Sequence, residues 1–395
     1  MRSRSTFGFI AAALLCVLPL PAKVIYADER VIGPFPSEEP AAHQRLLQEV
    51  FDAAGPGEHE FHIAPGEYRF SDPKGVRIPG NCTVVMEGVR IVWEAEVKED
   101  GQTFLLENVS RVALSGCEII GRRDVWSPGT NIAGVRVLGD CHDIRISYLT
   151  CRDLTSNAVG FFGEESKPMS NVTLKEVRGY NCCNYYGDYL ATPRGPAEGS
   201  KREDQGTVAM YFVNDWLVDA CWFEGSQSDG THFFHSHRGR FVNSVVRGSK
   251  MGGYFLEGCE DIVASGNHIL ENGSRGCTIE RNSRCCTLAN NIVKNSGREG
   301  LWAPDVEGII VTGTIFKTNG RKNDADKDCE IRIDETSEYE VSTRDILIQG
   351  NMFYTTPEQT AVFYVSPGVA KLTIEGNGTN GDAPLMSASA AIIEN

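Results

Sequence analysis

The chain of 395 residues carries a formal net charge of −15, and 41% of its residues are hydrophobic and 9% aromatic. That supply of apolar side chains supports a large core and excludes disorder as a description of the whole chain. The acidic balance argues against nucleic acid or an anionic membrane as partner, and no internal segment is apolar for long enough to span a bilayer.

The first residues, MRSRSTFGFIAAALLCVLPLPAKVIYADER, set Arg2 and Arg4 before an apolar stretch from about Phe7 to Leu20, followed by small residues. This is the pattern of an export signal, predicted over residues 1–27 with cleavage after Ala27 and with Ala22 as the second choice. It makes the mature protein secreted or periplasmic, and residues 28–395 read as a single domain. Thirteen cysteines are present, with Cys16 in the leader. The others lack CxxC or Cys/His spacing and read as buried thiols rather than a disulfide framework.

Next comes AAHQRLLQEVFDAAG (41–55), a helical apolar pattern suited to covering the open end of a stacked structure. The segments FHIAPGEYRF (61–70) and IPGNCTVVMEG (78–88) then read as strands. A fixed period follows. CWFEGSQSDGTHFF from 221, SVVRGSKMGGYFLE from 244, NHILENGSRGCTIE from 267 and NNIVKNSGREGLWAP from 290 are versions of one unit. Phe223, Val246, Ile269, Ile292 and Ile315 stand 23 residues apart. Three residues after each comes a small polar side chain: Ser226, Ser249, Asn272, Asn295 and Thr318. Glycine recurs at 230, 253, 276 and, after one insertion, 300. No unit has an apolar stripe able to fold alone, so the units must stack as coils of parallel strands. Looser copies occur as HDIRISYLTCRDL at 142, SNVTLKEVRGYNC at 170, RDILIQGNMFY at 344 and AKLTIEGNG at 370.

Together these segments resemble the right-handed parallel β-helix proteins of the pectate-lyase-like superfamily. The resemblance covers nearly all of the chain after the leader. It implies an all-β, single-stranded right-handed parallel β-helix, with coils of about 23 residues and the helix at 41–55 as N-terminal cap. The handedness rests on the resemblance and not on the period.

Strand alternation within THFFHS, YFLEGC, CTIERN and LWAPDV sends Phe233, Leu256, Ile279 and Ala303 inward, with Thr231, Tyr254, Cys277 and Leu301 two residues earlier. The positions between are predicted to face solvent. They form one column of His232, Phe255, Thr278 and Trp302 and a second of Phe234, Glu257, Glu280 and Pro304. His235, Gly258, Arg281 and Asp305 lie just beyond. With coils about 4.8 Å apart, Glu257 and Glu280 become neighbours and raise one another's proton affinity. Such a pair suits a retaining glycosidase, one carboxyl as acid and the other as nucleophile. A solvated acidic ladder paired with Arg281 is the structural alternative.

Around that pair, Arg281 and Asp305 are candidates for tuning charge, and Phe255 and Trp302 for stacking on sugar rings. His232 is a candidate substrate contact or base. His235 and Lys250 are candidate bases for a lyase, and Lys250 also a substrate contact. The histidines of DGTHFFHSHRGR do not supply three or four converging ligands, so no metal site is expected. An insertion, GDYLATPRGPAEGSKREDQ (187–205), carries Tyr189, Arg194, Lys201 and Arg202, with Arg194 a candidate substrate contact in a wall of the site. A second, RKNDADKDCE (321–330), holds acids that suggest calcium but lacks the glycine and closing glutamate of a calcium loop.

Relatives of this kind cleave pectin, alginate, glycosaminoglycans or neutral glycans, and some cleave nothing. Polygalacturonase-like members carry NTD, an aspartate pair, GHG and RxK, of which only QSDG (227–230) echoes the first. In lyases similar to chondroitinase B a lysine base is followed one coil later by an arginine. Arg281 in TIERNS resembles that arginine, whereas the lysine's counterpart falls at Glu257 or Gly258. The expectation is an exported polysaccharide-processing enzyme, a glycoside hydrolase or polysaccharide lyase without a cofactor. The alternative is a non-catalytic glycan-binding or cell-surface structural solenoid, and a carbohydrate epimerase shares the fold. The oligomeric state stays open.

Overall fold

The computed structural model describes residues 23–26, 42–53, 55–126, 130–183, 206–322 and 328–386. Its helix, Ala42–Asp52, is followed by short strands that pair in parallel with their counterparts one coil away. They make an 11-stranded sheet and a 23-stranded one. The larger sheet is two ladders joined through Cys82–Trp93 and Ser110–Ile120, long strands that pair with members of both. Each coil thus crosses three faces. The 11-stranded sheet, here the front sheet, starts at Val76–Arg77 and ends at Ala361–Val365. Lys23–Tyr26, within the stretch read as leader, pairs with His59–His62.

Alternation holds along the front strands. Phe233, Leu256, Ile279 and Ala303 are buried in the lumen, as are Thr231, Tyr254, Cys277 and Leu301. Rings fill the bore as stacks, Phe233 against Trp216 at 4.5 Å and Phe241 against Tyr254 at 5.0 Å. The recurring glycines serve close packing of coils. A Cβ at Gly276 would stand 2.5 Å from Val293 Cγ1 and 2.6 Å from the Gly300 carbonyl oxygen.

One expectation is corrected. Ile269 pairs with Val293, not Ile292, and Val293 with Phe316, not Ile315. One coil is a residue longer than 23, so from there the true core positions shift by one. Val293 and Phe316 are fully buried, whereas Ile315 is exposed. The polar column shifts with them: after Ser226, Ser249 and Asn272 it continues through Ser296 and Asn319.

A longer polar ladder escaped the sequence reading. Side-chain oxygens of Ser244, Asn267, Asn291, Thr314, Asn351 and Asn377 each accept the backbone N–H of the equivalent residue one coil earlier, at 2.9–3.3 Å. The asparagine amides also donate outward from the ladder, Asn291 Nδ2 to the Ala264 carbonyl at 3.0 Å. At these bends the backbone leaves the sheet pairing, and the ladder supplies the partners that buried N–H groups require.

The helix covers the first coils as expected. Phe51 meets Phe61 edge to face at 4.8 Å, and Leu47 is buried beside them. Its glutamines close the front sheet's edge. Gln48 accepts the Arg77 N–H at 2.7 Å and donates to the Arg77 carbonyl at 3.2 Å. Gln44 does the same for the chain at Ser71 and Asp72. All twelve described cysteines are free thiols, and all but Cys285 are buried. Among the described residues no helix is long and apolar enough to cross a membrane.

Replacing Asn291 by alanine is expected to strand the buried Asn267 N–H and Ala264 carbonyl, at a cost of about 1–3 kcal/mol for each group left unsatisfied. Urea unfolding of the variant against the parent checks this, and an unchanged midpoint would show that the ladder does not carry stability.

Candidate functional site

The front sheet builds one outward column in unbroken register: Glu107, Leu138, Phe162, Tyr211, Phe234, Glu257 and Glu280. Glu257 and Glu280 are therefore direct neighbours, as the repeat implied. After the strands that end at Tyr211, Phe234, Glu257, Glu280 and Pro304 the chain turns on a left-handed residue. Phe212, His235, Gly258, Arg281 and Asp305 have φ of 55°, 43°, 62°, 54° and 53°. After Glu280 alone among the neighbouring coils, a second left-handed residue follows, Asn282 at φ 68°. This is where the long coil holds its extra residue: Glu260 bridges to Arg284, one residue later than the spacing of His237 to Glu260.

That extra residue accompanies an arginine set across both carboxylates. Arg281 Nη1 donates to Glu257 Oε1 at 2.7 Å, and its Nε lies 3.0 Å from Glu280 Oε1. His232 Nε2 stands 3.5 Å from Glu257 Oε2, too long for a good hydrogen bond. Asn282 Oδ1 accepts the Val341 N–H at 3.0 Å, which fastens a later segment to this corner and brings Tyr339 near Arg281.

The two carboxyls do not behave alike. Burial raises the proton affinity of Glu257, but His232 and Arg281 outweigh it and hold the pKa at about 2. Burial pushes Glu280 up to about 7; Arg281 opposes the rise and the Glu257 charge adds to it. Burial likewise works against the charge on Arg281, yet Glu280 and Glu257 keep its pKa above the ordinary guanidinium value. One carboxylate is thus fixed as an anion and its neighbour is poised to carry a proton near neutrality.

Two hollows flank this cluster and share Arg281. A cleft of about 950 Å³ runs toward the N-terminal coils, lined by Glu257, His232, Phe234, Tyr211, Phe162 and Arg136 among others. A smaller one of about 300 Å³ lies on the other side, lined by Glu280, Phe255, Thr278, Trp302, Arg275 and Asp229 among others.

Several expectations change. His232, Phe255 and Thr278 point outward but do not face open solvent; His232 is 1% exposed. Direction follows from alternation, whereas exposure depends on what lies across the column. The His232 ring packs against Phe255 at 4.4 Å, and Tyr211 sits 5.5 Å from it. Trp302 is half-buried, with the Arg275 guanidinium 3.8 Å over its ring and its Nε1 donating to Asp334 at 2.6 Å. Glu280 is also buried.

Asp305 is buried and accepts from the Thr336 N–H at 2.8 Å and from the Thr336 hydroxyl, so its bonds go to that segment and not to the carboxylate pair. His235 stacks on Phe212 at 5.6 Å and its ring lies across Gly258; it lines neither hollow. Lys250 is exposed at its corner and also lines neither. Arg194 and the insertion at 187–205 lie outside the described residues, as do residues 323–327 of the second insertion. Among the described residues no group of three or more His, Cys, Asp and Glu side chains could hold a metal ion.

Sequence reading missed Arg136, Phe162, Tyr211 and Tyr339. The first three carry a legible signal, since GVRVLG, AVGFFG and TVAMYF alternate as THFF does. Tyr211 stands one 23-residue step before Phe234, whereas the insertion at 187–205 interrupts the count that would have aligned Phe162 and Arg136. Tyr339 comes from a segment outside the repeat and carries none.

Residues 206–395 match the family model described as right handed beta helix region. The solved structures it resembles include the A-module of the mannuronan C-5 epimerase AlgE4 of Azotobacter vinelandii. That match has a TM-score of 0.67 and 15% identity, and covers 88% of this chain and 96% of that one. A second is the surface adhesin PfbA of Streptococcus pneumoniae, with TM-score 0.63, 12% identity, and 87% and 89% of the two chains. A third is an exopolygalacturonase of Thermotoga maritima, with TM-score 0.62, 10% identity, and 94% and 93%. No curated protein matches the sequence. The chain is a right-handed parallel β-helix; at these identities the neighbours speak for the fold alone.

The opposed shifts set a pH test. Glu280 titrates above its ordinary 4.5, so its stabilising neutral form is fully present below that pH and is lost as pH rises toward about 7. Glu257 titrates below 4.5, so its contribution is present above that pH and is lost as pH falls toward about 2. Between these limits the melting temperature of Glu280→Gln should gain on the parent as pH rises to 7, and that of Glu257→Gln should fall behind it as pH rises from 2. Differences that stay flat with pH would refute the assignment of the two states.

Proposed function

We propose that this protein is exported and hydrolyses glycosidic bonds of a polysaccharide lying along the front sheet. The observation that carries the reading is the adjacent pair of carboxyls with their proton affinities pulled apart, Glu257 to about 2 and Glu280 to about 7. Glu280 then protonates the leaving oxygen. Glu257, ionised, serves as nucleophile or stabilises the positive charge that develops on the sugar. Neighbouring coils stand about 4.8 Å apart, near the roughly 5 Å carboxyl separation of retaining enzymes. Arg281 keeps the pair from repelling. Phe162, Tyr211 and Phe234 offer rings for sugars along the larger cleft.

A lyase needs a cation free to neutralise a uronate beside the broken bond. Arg281 is taken up by both glutamates, which favours hydrolysis over elimination. A binding-only solenoid is the second reading, favoured by the deep burial of Glu280.

Export belongs to the same proposal, with cleavage after Ala22 preferred because it keeps the Lys23–Tyr26 strand that pairs with His59–His62. N-terminal sequencing of secreted protein is expected to begin at Lys23, and a start at Asp28 would restore the other site.

New reducing ends released from a panel of neutral and acidic polysaccharides test the chemistry, with absorbance of unsaturated uronates followed in the same tubes. Glu280→Gln and Glu257→Gln are each expected to lower kcat by about 10²–10⁴-fold, the range of a positioned proton donor or its partner. Full turnover in either variant would remove that residue from the reaction. Unsaturated product would replace hydrolase by lyase. Folded protein that binds glycans and releases nothing would leave the binding solenoid.

A further inference from the structure

Arg136 stands apart from Arg281, the other arginine that lines the large cleft. Arg281 is held by Glu257 and Glu280, and the Glu107 carboxylate is taken by Arg77 at 2.6 Å. Arg136 lines the same cleft, yet its Nε is buried without a hydrogen-bond partner and no carboxylate among the described residues pairs with its guanidinium. A half-buried cation left without a counter-charge costs stability, and a ligand that brings the missing anion recovers it.

Its surroundings suit a sugar. Arg136 continues in register through Gly160 and Ala209 to His232. Small residues keep this part of the outward face low. At Gly160 the absence of a side chain lets the Phe162 ring fold across the strand, where a Cβ would stand 2.6 Å from Phe162 Cε2. Phe162 packs edge to face with Tyr211 at 5.5 Å, so an aromatic floor borders the guanidinium. Arg136 precedes Glu257 by four coils, about 19 Å at the usual strand spacing, a distance of several sugar residues.

We infer that Arg136 forms an anion subsite for a carboxylate or sulfate on a sugar well removed from the cleaved bond, and that the substrate carries spaced acidic sugars rather than an unbroken run. The second half follows from charge. Beside the bond, Glu257 is ionised and Arg281 is already paired, so an acidic sugar there meets a carboxylate without a free cation. The inference rests on the proposed glycan cleft and deepens it.

The test uses oligosaccharides with one uronate per repeat, the same sugars after carboxyl reduction, and O-sulfated neutral counterparts. Binding and kcat/KM are both measured. The parent is expected to prefer the acidic form to its reduced form. Arg136→Gln should lose about ten- to a hundredfold on the acidic form, the worth of a hydrogen bond to a charged group, with no change on the reduced one and a melting temperature of the unliganded protein no lower than the parent's. Arg136→Lys should keep part of the preference. Preference of the parent for the sulfated set would name sulfate as the anion. A parent blind to the charge, or a variant that loses equally on both forms, overturns the inference. Charge-dependent binding through Arg136 without cleavage would sink the hydrolytic reading and leave the subsite standing. Binding to none of the sugars would sink both.

Discussion

Parallel coils at strand spacing place every side chain against its counterpart one turn on, so each column must tolerate its own kind. Apolar columns do so at no cost, and the stacked rings and aliphatic groups of the lumen are the result. Asparagine also tolerates itself, because its oxygen accepts the neighbouring N–H while its amide donates elsewhere, and the ladder from Ser244 to Asn377 runs through the bends. Carboxylates do not. Two glutamates in one column need either a proton or a cation between them, and Glu257 and Glu280 have both within reach.

The cation is there where a single residue has been added. The corner after Glu280 holds two successive left-handed residues where its neighbours hold one. Arg281 lies across two coils, and Asn282 is tied to the segment that carries Tyr339. The same addition displaces the core register that follows, from Ile292 to Val293 and from Ile315 to Phe316. Departure from the repeat and assembly of the site are one event in the chain, which makes an irregular coil the place to look for chemistry in an otherwise regular solenoid.

Much of this was legible in the sequence, for a physical reason. A stacked fold writes its geometry as a period, so the lumen residues, the capping helix and the pairing of Glu257 with Glu280 follow from counting. What counting does not supply is the covering of one side chain by another. His232 and Glu280 were placed on the correct face, yet both are buried, because Phe255, Tyr211 and Arg281 lie across them. Asp305 shares Arg281's corner but turns to Thr336, a partner outside the repeat. Arg136 was lost for another reason: an insertion broke the count before the column reached it.

The glutamines of the N-terminal helix have a consequence beyond stability. A parallel sheet ends in a row of unpaired N–H and C=O groups, and a second chain could extend it strand upon strand into a fibre. At Arg77 those groups are already taken by Gln48, side chain for backbone, and the bulk of the helix stands over the opening. At this end the helix acts as a chain terminator, halting a growth process that the rest of the architecture would otherwise support without limit.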